Sequence, residues 1–359
     1  MKGPKILVTA AAGHTGMPTA LQLLEGGYSV RCLVRRVDAR SERLGTAGAE
    51  IAVGSLTDLA DVERALAGVQ RAYFCPPWGP DLLHVVSTFA VAAREARLES
   101  LVALSQWLAS PRHPSAATRG LWLMERTLPW VPGIAVTIVN PGFFADNYMR
   151  LLEPIAQLGV LPMSLGEGEN APPSNEDIAR VIAGALRDPA RHGGKTYRPT
   201  GPRLLTPTDI AAAFSRALGR RVKYVDMPER MFRKALRALG ISPFEQSQLR
   251  YYLEEYRRNA FAVNAPTDAV ADVGGRAPED FESIARRYAA SRPEATRSLG
   301  GMARAVRNLL RILAARPLDL DRVERTQGHP PIVASELAGD SESWRATHAL
   351  LPASARAAS

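Results

Sequence analysis

A run of small residues near the amino terminus has the spacing of a phosphate-binding turn. An apolar segment ends at Val8, the small-residue run reaches from Thr9 to Gly16, and an amphipathic segment continues from Met17 to Leu24. A strand, a tight turn and a helix start bring backbone N–H groups and the positive end of the helix dipole to a pyrophosphate. The sequence therefore predicts a dinucleotide site whose loop contacts come from Thr9, Ala11, Ala12, Gly13, His14, Thr15 and Gly16.

The end of the second predicted strand indicates which dinucleotide this site prefers. The strand covers residues 28–34, and Arg35 and Arg36 follow it directly. An acidic residue at this place suits the ribose hydroxyls of NAD, whereas an arginine suits the 2′-phosphate of NADP. We therefore expect NADP(H) in preference to NAD(H), with Arg35 as the contact. The alternative is a strand–helix pair whose small residues only permit close packing.

Short apolar strands alternate with helical segments over residues 5–140, which predicts an α/β fold with a doubly wound parallel sheet. Ligands of such sheets lie beyond the carboxyl ends of the strands. Further cofactor contacts are therefore expected from Ser55, Leu56, Cys75, Pro76, Ser105, Pro141, Gly142 and Phe143. Bulky side chains at the same strand ends predict a pocket for a flat, aromatic or apolar substrate, lined by Trp78, Trp107, Phe143, Phe144, Asn147 and Tyr148.

Three side chains near these strand ends are candidate catalytic proton donors. Ser105 ends the fifth strand and can donate to a carbonyl; its alternative role is to satisfy local backbone groups. His113 lies in a proline-flanked loop, where it either donates a proton or is only solvated. Tyr148 follows a Pro-Gly turn on a predicted helix. No metal is expected, because the six histidines are spread along the chain without ligand spacing.

The chain is predicted to divide into three regions. Residues 1–155 form the dinucleotide-binding Rossmann domain, residues 156–290 a smaller α+β region that binds substrate or acts as a lid, and residues 291–359 a mostly helical extension with a frayed end. Two helical segments are expected in the lid. An apolar stripe at helical spacing runs along these segments, and such a stripe is more typical of core packing than of a ligand pocket. It consists of Leu249, Tyr252, Leu253 and Tyr256.

The extension contains a basic amphipathic segment at residues 304–315. Val306, Leu309, Leu310 and Leu313 alternate there with Arg304, Arg307 and Arg311. Such a helix is typical of a membrane surface or of a contact with another protein element. Packing on its own domain or on a second subunit is the favoured interpretation.

Composition and charge narrow the function classes. Apolar residues make up 46% of the 359 residues, no apolar run approaches the ~20 residues of a membrane span, and no signal peptide is recognisable. Cys32 and Cys75 fall in predicted strands as core residues, so a cytoplasmic protein is expected. The net charge of +9 comes mainly from scattered arginines without a nucleic-acid motif. The expected partner is a small-molecule substrate, with a homodimer left open.

Five segments resemble the NmrA-like branch of the atypical short-chain dehydrogenases/reductases. They are Thr9–Gly16, Val30–Arg35, Gly54–Asp58, Gly133–Asn147 and Ala265–Phe281. The resemblance implies a Rossmann fold and an NAD(P)-dependent oxidoreductase. The chain departs from the family pattern at three positions, which are Ala10 for the first loop glycine, Ser55 for an acid, and Asn140 for a frequent arginine. We expect Ala10 to hold a backbone conformation that is allowed to an L-residue.

The resemblance also implies a pair of catalytic residues that this chain lacks. Short-chain reductases commonly use a tyrosine four residues before a lysine, but residues 105–141 contain neither residue type. Leu121 stands near the place where many NmrA-like chains carry a lysine, one turn ahead of the acid that corresponds to Glu125. Catalysis by a tyrosine–lysine pair is therefore excluded.

Three functions remain open from the sequence. The favoured one is an NADP(H)-dependent oxidoreductase that reduces an electrophilic C=C, C=N, quinone or carbonyl group of an aromatic or apolar metabolite. Such a substrate accepts a hydride without the tyrosine–lysine pair. The second is a non-catalytic protein that senses the NADP redox state, and the third is a non-redox isomerase or cyclase on the same fold.

Overall fold

The structure is a computed structural model that describes residues 3–330 and 332–348. Its strands are β1 (Lys5–Val8), β2 (Ser29–Val34), β3 (Glu50–Val53), β4 (Arg71–Phe74), β5 (Ser100–Leu104), β6 (Ala135–Val139), β7 (Val160–Met163), β8 (Thr196–Tyr197) and β9 (Lys223–Asp226). Seven of them form one sheet in the order β3-β2-β1-β4-β5-β6-β8, and every neighbouring pair is parallel. This order, with its switch at β1 and β4, is that of a Rossmann fold and confirms the predicted class.

The helices cover both faces of this sheet and continue into the second half of the chain. The first nine are α1 (Gly16–Glu25), α2 (Ala39–Thr46), α3 (Leu59–Leu66), α4 (Leu82–Glu95), α5 (Ala116–Thr127), α6 (Ala145–Met149), α7 (Leu152–Leu158), α8 (Asn175–Arg187) and α9 (Pro189–His192). They are followed by α10 (Pro207–Leu218), α11 (Glu229–Ala238), α12 (Pro243–Arg257), α13 (Ala269–Gly274), α14 (Phe281–Ser291), α15 (Leu299–Ala314), α16 (Leu320–Thr326) and α17 (Glu342–His348).

Side-chain caps decide where several of these helices begin. Asp58 accepts backbone N–H groups at the start of α3, Ser174 does so for α8, and Thr206 does so for α10. A short oxygen-bearing side chain at such a position satisfies amides that a helix leaves unpaired. Ser115 caps α5 in the same way, so this helix begins at Ala116.

Three hydrophobic clusters hold the layers together. One lies between the sheet and α3, α4 and α5, and a second lies between the sheet and α1 and α8. Both faces of the sheet are therefore buried, which explains why its strands are short, nearly continuous apolar runs. The third cluster belongs to the second half of the chain and contains Trp107, Phe143, Tyr148 and Tyr256.

The second half departs from the predicted pattern in two places. The sequence of residues 151–168 predicts a helix followed by a loop, but the strand β7 replaces part of that loop and pairs with β9 in a separate two-stranded parallel sheet. The stretch from Pro317 to Arg322 predicts a break in regular structure, but α16 begins inside it at Leu320, with Asp319 as its cap. The expected frayed end, Pro352 to Ser359, lies outside the described residues. None of the described helices has both the length and the apolar character needed to cross a bilayer.

Candidate cofactor and active site

The loop between β1 and α1 is held in a conformation with little free space. Ala10 lies in the left-handed region at φ +47°, which is the least populated of the regions allowed to an L-residue and costs about 1 kcal/mol. Its carbonyl oxygen accepts the N–H of Gly13 at 2.8 Å. A Cβ on Gly13 would lie 2.9 Å from that oxygen, and a Cβ on Gly16 would collide with it. Both glycines are therefore required by close backbone approach.

Two threonines connect this loop to the end of β4. The Thr9 hydroxyl accepts the N–H of Cys75 at 2.8 Å, and the Thr15 hydroxyl lies 2.8 Å from that of Tyr73. Tyr73 is fully buried, and burial raises its pKa well above the ordinary value. Thr15 leaves the first amides of α1 without a side-chain cap. Together these contacts fix an open helix N-terminus at the carboxyl edge of the sheet, where an anion can be bound.

His14 links the loop to the second half of the chain. Its Nδ1 lies 3.3 Å from the Asp146 carboxylate, which also accepts the Tyr288 hydroxyl at 3.1 Å. The His14 side chain is largely exposed, whereas Asp146 is buried. His14 is thus placed by α6, while one side of its ring stays open above the loop.

The end of β2 carries unpaired positive charge. Arg35 and Arg36 are exposed, and neither forms an ion pair with another described residue. Arg40, at the start of α2, donates to the Ala12 carbonyl at 3.3 Å and also pairs with Asp38. Arg40 was not predicted, since it lies beyond the end of β2 at Val34, inside the next helix, where no motif marks it. The three guanidinium groups make this edge of the loop suitable for a phosphate.

At the end of β3 the backbone turns on local hydrogen bonds. The Ser55 N–H donates to the Asp61 carboxylate at 2.8 Å, and the Ser55 hydroxyl lies 2.7 Å from that of Thr57. Leu56 is half-buried against the same cluster as Trp78. Pro76, which follows β4, is buried, and Cys75 is half-buried with a pKa raised to about 11 by burial. These residues lie on the same sheet edge as the loop, as expected.

The end of β5 holds a hydrogen-bonded set of three polar side chains. The Ser105 hydroxyl donates to Glu125 Oε1, and Asn140 Nδ2 donates to the same oxygen at 2.8 Å. Burial raises the pKa of Glu125, although these two hydrogen bonds and the charges of Arg198 and Arg126 act in the opposite direction. Sequence analysis named Ser105 but gave Glu125 no role, because α5 brings it in from 20 residues away.

A cleft of about 470 Å³ opens on the far side of this set. Its lining includes Glu125, Asn140, Arg198, Trp344 and His348, so β6, the segment after β8 and the C-terminal helix α17 all contribute. Burial lowers the pKa of His348 to about 3, so this imidazole is neutral. Glu125 thus borders a cleft whose lining includes none of the predicted pocket residues.

Aromatic side chains from three elements meet beyond the strand ends. The ring of Tyr252, on α12, lies 6.3 Å from that of Trp78 and 5.9 Å from that of Phe143. The Tyr252 hydroxyl has no hydrogen-bond partner among residues 3–330 and 332–348, and burial raises its pKa. The stripe that includes Tyr252 was assigned to core packing. Leu253 and Tyr256 are buried in the cluster of the second half, and Tyr252 packs against the same cluster while its ring also contacts that of Trp78.

The remaining residues after β6 are placed by backbone contacts. The Pro141 carbonyl accepts the N–H of Trp107 at 3.2 Å, and the Phe143 carbonyl accepts Asn170 Nδ2 at 2.7 Å. Gly142 is buried, while Phe144 and Asn147 are half-buried. Phe144 packs with the cluster between the sheet and α1 and α8, not with the Tyr252 rings.

Phe143 is only 5% exposed, and two further predicted pocket residues are interior residues in the structure. Trp107 is almost fully buried; its indole N–H donates to the Ala260 carbonyl at 2.9 Å, and its own carbonyl accepts Trp344 Nε1 at 3.2 Å. Tyr148 is fully buried, and its hydroxyl lies 2.7 Å from that of Tyr256. Both side chains are enclosed, so the expected roles of Trp107 in binding substrate and of Tyr148 in donating a proton lack access.

His113 is also an interior residue, contrary to the alternative of a solvated loop histidine. Its side chain is fully buried, Nδ1 accepts the Ser115 N–H at 3.0 Å, and Nε2 lies 3.1 Å from Glu255 Oε1. The same carboxylate accepts the N–H groups of Ala338 and Gly339. This network ties the loop after β5 to α12 and to the extension, which explains the histidine without a catalytic role.

We expect His113→Ala to destabilise the fold without altering chemistry. Removing the imidazole leaves a buried carboxylate partly unpaired, a change that costs about 3 kcal/mol. Urea unfolding should therefore show a lower free energy of unfolding, while kcat of the folded variant stays within about twofold of the parent. A loss of kcat with unchanged stability would instead assign His113 to catalysis.

Comparisons with known proteins agree with this arrangement. A family model described as NAD(P)H-binding matches residues 10–189, and one described as the NmrA-like family matches residues 127–267. The chain is 30% identical to an NAD(P)H azoreductase of Xenophilus azovorans, over 80% of this chain and 98% of that protein. The chain belongs to the NmrA-like family of NAD(P)H-binding proteins.

Other relatives of this NmrA-like protein are reductases as well. It is 31% identical to a (4-alkanoyl-5-oxo-2,5-dihydrofuran-3-yl)methyl phosphate reductase of Streptomyces griseus, over 79% of this chain and 98% of that one. Its fold is also that of the Escherichia coli quinone oxidoreductase QOR2 solved with NADPH, with a TM-score of 0.69 and 21% identity over 79% of this chain and 99% of that one. The protein therefore stands among NAD(P)H-dependent reductases.

The residues present fit the NAD(P)H that this family binds. The loop leaves no room for a Cβ at Gly16, α1 starts without a side-chain cap, and Arg35 carries an unpaired charge beside the loop. These are the features that bring backbone N–H groups and positive charge to a pyrophosphate. Within the described residues, no three His, Cys, Asp or Glu side chains are grouped as metal ligands.

Proposed function

We propose that this protein is an NADPH-dependent reductase of an electrophilic group in an aromatic or apolar metabolite. The group is a quinone, a carbonyl, or a C=C or C=N bond, and the azoreductase relative extends this range to N=N. The observation that carries the proposal is the Ser105 hydroxyl at the end of β5, hydrogen-bonded to the half-buried Glu125 whose pKa is raised. A hydroxyl backed by a carboxyl group is a proton source that needs no tyrosine–lysine pair.

In such a reduction, different residues of the chain bind the substrate and supply the proton. Bound NADPH supplies a hydride. The aromatic rings of Trp78, Phe143 and Tyr252 form an aromatic wall that contacts an aromatic substrate, with the Tyr252 ring tilted by 65° from that of Trp78 and by 36° from that of Phe143. Ser105 delivers a proton to the oxygen or nitrogen that becomes more basic as the substrate is reduced, and Glu125 returns a proton to Ser105. Solvent replenishes Glu125 through the cleft lined by Asn140 and Arg198.

The direct test is NADPH oxidation with a panel of acceptors. A benzoquinone, a naphthoquinone, an azo dye, an aromatic enone and an aromatic iminium ion are each mixed with NADPH and purified protein, and the loss of NADPH absorbance is followed. We expect turnover with at least one quinone or azo acceptor. No turnover across the panel, together with different affinities for NADP and NADPH, would favour the redox-sensing alternative.

Cofactor preference is a separate prediction. Replacing Arg35 and Arg36 by alanine removes the unpaired guanidinium groups at the end of β2, so the 2′-phosphate loses its charge-assisted hydrogen bonds. We expect the Kd for NADPH to rise about 10- to 100-fold and that for NADH to stay nearly constant. Calorimetric titration of both cofactors measures this, with the exposed Arg94→Ala as the control. Equal losses for NADPH and NADH would contradict recognition of the 2′-phosphate.

The aromatic wall gives a further expected result. Tyr252→Ala removes the ring that contacts both Trp78 and Phe143. We expect KM for an aromatic acceptor to rise about tenfold, because a buried ring contact contributes roughly 1 kcal/mol beyond the area that it covers. Tyr252→Phe should keep KM near that of the parent, and a fall in kcat for this variant would show that the unpartnered hydroxyl takes part in protonation.

A further inference from the structure

Helix α15 exposes a stripe of large apolar side chains to solvent. Single exposed apolar residues are normal on protein surfaces, but a contiguous row marks an interaction site. The row follows one face of the helix at intervals of three and four residues, with exposed fractions between 44% and 82%. It consists of Leu299, Val306, Leu309, Leu310 and Leu313.

The stripe is not the face by which α15 packs on its own domain. That contact uses small residues, Gly301 and Ala305, which are buried where the helix crosses α7 and α11. A Cβ on Gly301 would collide with the Gln157 side chain, so α15 approaches α7 closely on its small-residue face. The sequence favoured packing of this segment on its own domain or on a second subunit. The small-residue face of α15 packs on its own domain, and this contact leaves the leucines uncovered.

Positive charge borders the apolar stripe. Arg307 and Arg311 are exposed on one flank and form no ion pair with any described residue, whereas Arg304 pairs with Glu153 at 2.9 Å. The helix contains no acidic residue. Lys234, from α11, donates to the Leu313 carbonyl at 2.6 Å and adds a further cation near the end of the stripe.

We propose that this face of α15 binds the surface of a bilayer that contains anionic lipid. An apolar stripe beside arginines is the pattern of a helix that lies in the membrane interface, with leucines among the acyl chains and guanidinium groups at the headgroup phosphates. A second copy of the chain fits less well. A twofold contact would bring the unpaired arginines of one copy toward those of the other.

The experiment measures binding of the full-length protein to vesicles. Vesicles of phosphatidylcholine alone and of phosphatidylcholine mixed with phosphatidylglycerol are incubated with protein and separated by flotation. We expect binding to the anionic vesicles only, and weaker binding in high salt because the arginine contribution is screened. Leu310→Glu with Leu313→Glu should reduce the bound fraction at least about tenfold, and Arg307→Glu with Arg311→Glu should do the same.

Matched variants separate this surface from general effects. Leu83→Glu changes a leucine on α4 that is 45% exposed, and Arg94→Glu changes an exposed arginine of the same helix; both should bind vesicles like the parent. NADPH affinity should be equal in all five proteins, which keeps this test apart from the reductase assignment. The proposal is overturned if anionic vesicles leave the parent unbound. It is also overturned if the parent is a dimer in solution that Leu310→Glu dissociates.

Discussion

Gly16→Ala is expected to abolish NADPH binding. The added Cβ would collide with the carbonyl oxygen of Ala10, and it would lie 2.8 Å from the carbonyl carbon of Ala10 and 2.9 Å from the Cα of Ala11. All of these are backbone atoms, so the loop itself must move, and the amides at the start of α1 move with it. We expect the Kd for NADPH to rise at least about 100-fold, which corresponds to the loss of two charge-assisted hydrogen bonds.

Two controls separate this steric effect from a general loss of structure. Gly79→Ala adds a methyl group where no heavy atom lies within 4 Å, so binding should not change. Ala10→Gly relieves the left-handed conformation at φ +47° and should keep or improve affinity. Calorimetric titration gives the Kd, and circular dichroism checks the fold. If Gly16→Ala unfolds the chain, Gly13→Ala, with a milder contact of 2.9 Å, carries the same test. Normal affinity in a folded Gly16→Ala protein would rule out the loop as the cofactor site.

The parts of the fold that were predictable are those that depend on local sequence. The first apolar segment ends at Val8 as β1 does, and the strand predicted over residues 28–34 is β2 (Ser29–Val34). The caps Asp58, Ser174 and Thr206 are short oxygen-bearing side chains that precede helices with a periodic apolar pattern. The loop was predictable for the same reason, since Gly13 and Gly16 lie between a strand and a helix. The conformation of Ala10 was not, because alanine carries no signal for a positive φ.

The residues whose surroundings were predicted wrongly are held by contacts between distant parts of the chain. His113 was interpreted as a loop residue from its proline neighbours, but its partner Glu255 is 142 residues away. Tyr148 meets Tyr256 across 108 residues, and Trp107 meets Trp344 across 237. Strand ends indicate which residues share an edge of the sheet, but not which of them a later helix covers. The same limit explains why Tyr252 and Glu125 were assigned no chemical role.

The second large effect is expected at the proton source. Ser105→Ala removes the hydroxyl at the end of β5, and Glu125→Gln keeps an acceptor for Ser105 and Asn140 but cannot take up or deliver a proton. We expect each variant to lower kcat about 100-fold, the usual scale for loss of a positioned acid. KM should change little in both variants, and NADPH affinity should change little in Glu125→Gln, since Glu125 lies neither in the loop at α1 nor in the aromatic wall. Glu95→Gln, an exposed change on α4, is the matched control.

The pH profile distinguishes proton delivery from a purely structural role. Burial raises the pKa of Glu125 above its usual value, while the charges of Arg198 and Arg126 oppose the shift and His348 faces it as a neutral ring. A carboxyl group with a raised pKa is protonated at low pH and loses its proton as the pH rises through that pKa. The kcat of the parent should therefore fall on the alkaline side of this pKa, and Glu125→Gln should lose that limb and show a low, flat profile. If kcat of Glu125→Gln still falls at the same pH, the titrating group is another residue. Glu125 would then only hold Ser105 in place.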